Sequence, residues 1–158
     1  MKIKRRTVFI TMVVMLGALG IAIQAVASPQ LTLQVREGLQ AGTVSDGTVL
    51  AYGKVRDTDL SGAVEFHVWS DAAVQDAPAI YTLTSPNNTG YRLRVRLVGE
   101  GWQADEMQGR GIIRLSEASH VTFRVEVDGD QTVPSARWHL GLQAVTRTPV
   151  SALALDDK

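Results

Sequence analysis

One stretch of this chain alternates without a break between apolar and positively charged side chains. It covers residues 91–97, and the charged positions within it are Arg92, Arg94 and Arg96. Because successive side chains of a strand point to opposite faces, the stretch predicts a half-buried strand with an apolar underside and a cationic top. This pattern indicates an all-β fold.

Seven further stretches show a strand-like pattern. They are residues 31–35, 49–55, 64–69, 80–84, 112–115, 121–127 and 138–145. Turn residues such as Gly, Pro, Asn and Asp separate them, and no window after residue 27 shows a convincing helical period. About eight short strands with turns between them predict an antiparallel, immunoglobulin-like β-sandwich in a single domain.

The beginning of the chain is organised like a signal peptide. Basic residues at positions 2–6 precede an apolar run over residues 8–23, and the small-x-small pattern Ala25-Val26-Ala27 follows. We expect cleavage after Ala27, a domain over residues 28–145 and a C-terminal tail over residues 146–158. An uncleaved membrane anchor is the alternative, because the uncharged run is long enough to span a bilayer.

Cysteine and charge restrict the partners of the exported chain. The sequence has no cysteine, so neither a disulfide nor a lipidated cysteine is expected. The chain has 16 basic and 16 acidic residues, and removing the four basic residues of the leader leaves a net charge of −4. A mildly acidic domain argues against nucleic acid as a partner.

Three motifs together resemble a known family. Residues 66–69, residues 91–96 with 99–102, and residues 128–142 are similar to the D subunits of chaperone–usher pili, which are the invasin-type tip subunits of Afa/Dr afimbrial adhesins and of Saf pili. The resemblance implies an incomplete immunoglobulin-like domain that lacks its last strand. A periplasmic chaperone would fill the gap first, and the major pilin subunit would then fill it with a donor strand.

The same resemblance implies where the chain acts and what it does. It predicts passage through the periplasm, assembly by an outer-membrane usher, and a final place in a fimbrium at the cell surface. There it would bind a host-cell receptor in adhesion or invasion, a role in virulence, without enzymatic activity or a cofactor. Only residues 28–30 would precede the first strand, so we expect a fibre tip that accepts a strand and donates none.

The predicted groove lies between the first and last strands. Its expected lining residues are Trp138, Leu140, Leu142, Ala144, Leu31, Leu33 and Val35. If the donor inserts four or five apolar side chains, each contributes about 1.5–3 kcal/mol on burial. That total is comparable with the net stability of a whole domain, so the isolated subunit should be only marginally stable.

Two features depart from the family pattern. The Afa/Dr members resemble disulfide-bonded domains, so a chain without cysteine is either closer to the Saf-like branch or a divergent member. The apolar residues 150–155 could also fold back into the groove, although Pro149 and alternating alanines make a poor donor and favour disorder. The alternative function is therefore a self-complete periplasmic or surface β-sandwich that binds a ligand outside any pilus.

The arginine ladder and two tryptophans are candidate receptor contacts. Arg92, Arg94 and Arg96 could bind an acidic receptor or lipopolysaccharide, or they could simply pair with carboxylates on neighbouring strands, such as Glu126. Trp69 and Trp102 could be exposed interface anchors, or they could cap the two ends of the sandwich.

Metal binding and catalysis find no support in the sequence. Glu65 and His67 lie two apart on one predicted strand face, but none of the three histidines has a partner at a metal-site spacing. Residues 128–130 are better interpreted as a hairpin turn than as a calcium loop. The motifs of serine hydrolases, P-loop proteins and dinucleotide-binding enzymes are all missing from the sequence.

Overall fold

The computed structural model describes residues 8–9, 29–58 and 62–149. Its strands are β1 (Val8–Phe9), β2 (Gln30–Val35), β3 (Gly42–Val44), β4 (Val49–Arg56), β5 (Val64–Ser70), β6 (Val74–Ala77), β7 (Ile80–Ser85), β8 (Asn88–Val98), β9 (Gln103–Ala104), β10 (Ile112–Ser116), β11 (His120–Val127), β12 (Gln131–Val133) and β13 (Leu142–Arg147). Across these ranges we observe no helix that has the length and apolar character needed to cross a membrane. Most of the predicted signal peptide and residues 150–158 of the predicted tail lie outside the described residues.

Two antiparallel sheets form the sandwich. One has the strand order β2-β4-β11-β8-β7-β6, and the other has the order β1-β13-β5-β10-β9. A small additional ladder joins β12 to β3. Consecutive strands in a sheet are antiparallel, as in β7 with β8 and β11 with β4. The predicted all-β, antiparallel sandwich is therefore confirmed.

The core lies between the two sheets and follows the predicted alternation. In β8, Leu93, Val95 and Leu97 are buried, and they pack in one cluster with residues of the opposite sheet. Phe123 of β11 is accommodated by a glycine on the neighbouring strand, because a Cβ at Gly53 would lie 2.1 Å from the ring. Here a missing side chain on one strand makes room for a large one on the next.

The last strand differs from its prediction over residues 138–145. It begins at Leu142 and continues to Arg147, so Trp138 and Leu140 precede it. The interruption occurs at Gly141, which has φ +59° and whose carbonyl accepts a hydrogen bond from the Asp71 amide. The positive φ interrupts the extended backbone that the alternating apolar pattern predicts.

Beyond residue 145 the strand continues, and its polar side chains pair with one buried and one half-buried carboxylate. The Thr146 hydroxyl donates a 2.7 Å hydrogen bond to Asp57, and Arg147 forms an ion pair with Glu65 on β5. The first two residues of the predicted tail therefore belong to the sheet. Five short strands, namely β1, β3, β6, β9 and β12, were not predicted from the sequence.

Candidate strand-accepting groove

The two walls of the predicted groove are β2, an edge strand of the six-stranded sheet, and β13, which only the two-residue strand β1 separates from the edge of the other sheet. β2 pairs only with β4 among the described strands, and the long partner of β13 is β5. Thr146 bonds to Asp57, and the residue before Asp57 pairs with Gln30. The end of β13 therefore lies beside the beginning of β2.

The groove is closed at that end. Leu31 is 1% exposed, and Leu142 and Ala144 are also buried in the same apolar cluster. These three predicted groove residues already form part of the core. Leu31 makes the closed end of the groove, whereas Leu142 and Ala144 lie earlier on β13, and the packing of all three holds the two sheets together.

Further along β2 the groove is open. Leu33 is 37% exposed and Val35 is 58% exposed, although both share the core-facing side of the strand with Leu31. An inward-facing apolar residue is normally covered by the opposite sheet. At these two positions the described part of the chain provides no strand that covers them.

A cavity of about 280 Å³ lies at the end of the molecule towards which β2 runs. Leu39, Leu50, Leu93, Val133 and Trp138 provide its apolar lining. Trp138 and Leu140 are half-buried and pack against the core without joining the sheet. Leu39 and Val133 were not predicted, although Leu39 keeps the alternation of Leu31, Leu33 and Val35 and could have been identified from it.

The outer edge of β13 accepts a backbone partner. β1 pairs with it in antiparallel register, with Val8 opposite Ala144 and Phe9 opposite Gln143. Residues 8–9 belong to the segment predicted to be removed as a signal peptide. The edge is therefore one to which a strand can be added.

The arginine ladder is largely neutralised by carboxylates. Arg96 forms ion pairs with Asp46 at 2.7 Å, Glu126 at 3.2 Å and Asp128 at 3.3 Å. The Gly129 amide and the Arg96 guanidinium lower the pKa of Asp46 from its usual value. Arg94 pairs with the second oxygen of Asp128 at 2.9 Å. The ladder is thus a charge network within one sheet face.

Arg92 differs from the other two rungs of the ladder. It is exposed, and within the described ranges it has no ion-pair partner. Of the three arginines, it alone carries a charge without an ion-pair partner among the described residues.

The two candidate tryptophans are held by packing. Trp69 is only 5% exposed, its indole donates to Asp71 at 2.7 Å, and the Arg110 guanidinium lies 4.3 Å from its ring centroid. Trp102 donates to the Thr122 carbonyl at 2.8 Å and meets Phe123 edge-on. Trp69 is therefore not an exposed anchor, whereas Trp102 is half-buried and stays a candidate contact.

A buried polar cluster lies beside Trp69. His67 is 2% exposed and Asp105 is 1% exposed, and the His67 Nε2 lies 2.5 Å from the Arg110 carbonyl and 3.5 Å from Asp105. Burial lowers the pKa of His67, which favours the neutral ring donating Nε2–H to the carbonyl. In the described part of the chain no group of three or more metal-ligating side chains is assembled.

Comparison with known proteins assigns the sandwich to a family. A family model described as the Enterobacteria AfaD invasin protein matches residues 40–144. This chain belongs to the AfaD invasin family. The match covers most of the sandwich, including the first residues of β13, and it confirms the predicted membership of the invasin-type tip subunits.

Relatives of this AfaD-family protein support the assignment. It is 27% identical to Protein AfaD of Escherichia coli over 76% of this chain and 80% of the relative. It is also 29% identical to Protein AggB of Escherichia coli over 54% of this chain, and the matched segment spans 59% of that relative's length.

Solved structures agree with the fold. The Salmonella SafD adhesin is 38% identical, with a TM-score of 0.71 over 77% of this chain and 85% of its own. The minor tip subunit HdaB of the Escherichia coli Hda pilus has a TM-score of 0.70 over 78% of this chain and 86% of its own, at 24% identity. The family is thus one of pilus and adhesin subunits.

Proposed function

We propose that this AfaD-family protein is the tip subunit of a chaperone–usher fimbria and accepts a donor strand between β2 and β13. One observation carries the proposal: Leu33 and Val35 face the core side of β2 and are nevertheless exposed, beside an edge strand that can take a partner. An added strand would cover both side chains and pair with β13 at the same time.

The proposed path of assembly follows from this edge. Residues 1–27 direct export, a periplasmic chaperone covers the groove, and the usher exchanges the chaperone for the N-terminal extension of the major pilin. An unpaired edge with exposed apolar side chains is prone to aggregation, which is the physical reason for a chaperone. The groove in the free subunit is thus a transient state.

The proposed role at the tip is adhesion or invasion by binding alone, without catalysis. The family comprises invasin and adhesin subunits, and HdaB is itself a minor tip subunit. Arg92, at the exposed end of the ladder, is the candidate contact to a host receptor that the ion-pair pattern favours over Arg94 and Arg96.

The test is a thermal melt of the exported protein with and without a synthetic donor peptide. The peptide would be the N-terminal extension of a pilin encoded beside this gene. We expect the melting temperature to rise by at least about 10 °C, because the peptide buries several apolar side chains. A high melting temperature that does not respond to peptide would favour the self-complete module, with the groove filled by residues 150–155, which lie outside the described residues.

A further inference from the structure

A second cavity lies on the outer face of the six-stranded sheet, over β2, β4 and β11. Its volume is about 750 Å³, within the range of small-molecule sites. Residues of β2, β4 and β11 line it, together with Glu100 and with Arg114 of β10 in the other sheet. No candidate receptor residue from the sequence analysis lies in it.

The floor of this cavity consists of two rows of side chains that run across the strands. In the first row, Lys54 lies between Thr32 and Thr122, its register partners on the two neighbouring strands. All three are exposed. The row therefore presents one ammonium group with a hydroxyl on each side.

The second row has an aromatic ring at its centre. Tyr52 lies between Gln34 and Arg124 in the same register. Tyr52 is 50% exposed although it is one of the largest side chains on this face. The row presents a flat apolar surface with an amide on one side and a guanidinium on the other.

The cavity carries an excess of positive charge. Three cations line it, namely Lys54, Arg114 and Arg124, and Glu100 is the acid that lines it. Within the described ranges neither Lys54 nor Arg114 has a carboxylate partner, and Arg124 shares Glu126 with Arg96. After the predicted cleavage the chain has a net negative charge. The positive charge around the cavity is therefore a local feature of the surface and not the charge of the whole chain.

We infer that this cavity binds a sugar acid, that is, a pyranose ring that carries a carboxylate. The Tyr52 ring offers a platform for the C–H face of the sugar. Lys54 and Arg124 would pair with the carboxylate, and the hydroxyls of Thr32 and Thr122 would bond to ring hydroxyls. An acidic peptide would use the cations but would leave the platform and the hydroxyls without matched partners.

This inference does not rest on strand acceptance. The two rows point outward from the sheet, whereas the groove lies on the core-facing side of β2. Leu33 borders both surfaces, so binding is measured on the exported protein both with and without the donor peptide. The melt reports strand acceptance independently, and either result can fail without the other.

The experiment is an NMR titration of the ¹⁵N-labelled protein with 3′-sialyllactose, with a hyaluronan tetrasaccharide, and with lactose as the neutral control. We expect saturable shifts for the amides of residues 32–34, 52–54 and 122–124 with at least one of the acids and none with lactose. The two acids distinguish a sialic acid from a uronic acid. Equal binding of lactose, or no shifts with either acid, would overturn the inference.

Matched variants separate the site from general surface effects. Tyr52→Ser and Lys54→Met should each weaken binding at least tenfold without lowering the melting temperature. Tyr91→Ser is the control for the first, because Tyr91 is 38% exposed but lies outside the cavity. Arg137→Met is the control for the second, because Arg137 is exposed and lies outside the cavity. Equal loss in variants and controls, or tighter binding of a glutamate peptide at the same amides, would also overturn the inference.

Discussion

Leu33 and Val35 test the proposed groove quantitatively, because they should contribute more to the complemented subunit than to the free one. The perturbation is the double variant Leu33→Ser, Val35→Ser. In the free chain 37% of Leu33 and 58% of Val35 are already in water, so the substitution removes only the part of each side chain that the sandwich itself covers. When a donor strand covers them, the same substitution removes contacts that only the complex makes.

The exposed fractions determine the size of the effect. Burying a whole aliphatic side chain contributes about 1.5–3 kcal/mol, and 37% of Leu33 and 58% of Val35 remain to be buried. The donor complex should therefore lose about 1.5–3 kcal/mol for the two residues together. Because 1.4 kcal/mol is about a tenfold change, the affinity for the donor peptide should fall by roughly tenfold to a hundredfold.

The assay is denaturation by urea of the exported protein, with and without saturating donor peptide, together with a titration of the peptide. Val74→Ser is the matched control, since Val74 is 63% exposed and lies on β6, at the opposite edge of the same sheet. An affinity no lower than that of the control would refute the groove. So would a loss of stability in the free chain as large as the loss in the complex.

The remaining predictions concern two polar clusters. Burial lowers the pKa of His67 in the folded state below its ordinary value of 6.5. In mild acid the unfolded state therefore binds more protons than the folded state. As the pH falls from 6.5 towards the folded-state pKa, the stability that the neutral His67 provides is lost. Urea midpoints between pH 7.5 and 5 should show this decline, and His67→Gln should flatten it; an equally steep decline in the variant would contradict the assignment. Arg96→Met should lower the free energy of unfolding, measured by urea denaturation, by about 1 kcal/mol more than Arg92→Met, because it leaves three carboxylates close together without their cation. Equal midpoints would show that the charge network contributes no stability.

Much of the fold could be predicted, because the alternation of apolar and polar residues along a strand is visible in consecutive positions of the sequence. Val121, Phe123 and Val125 alternate with polar residues, and each is buried as that pattern requires. The period of two reflects the pleat of a single strand, so no knowledge of its partners is needed. The boundary at Leu142 was missed because a positive φ at Gly141 depends on the hydrogen bond to Asp71.

The candidate sites were harder to predict because exposure depends on segments that are distant in the chain. Trp69 shares a strand face with Glu65, yet Arg110 covers it from a loop about 40 positions later. Arg96 meets Asp46 across 50 positions. Alternation separates the two faces of a strand, but it does not say what covers each face.

By itself, therefore, the sequence determined the strands, the core-facing residues and the family resemblance, since each depends on short-range pattern. Only the tertiary structure decided that Leu31 is buried while Leu33 and Val35 are open. It also placed Tyr52 and Lys54 of β4 between β2 and β11 to form the outer cavity. The physical reason is that a groove or a cavity arises from the pairing of distant strands and from the edges that this pairing leaves uncovered.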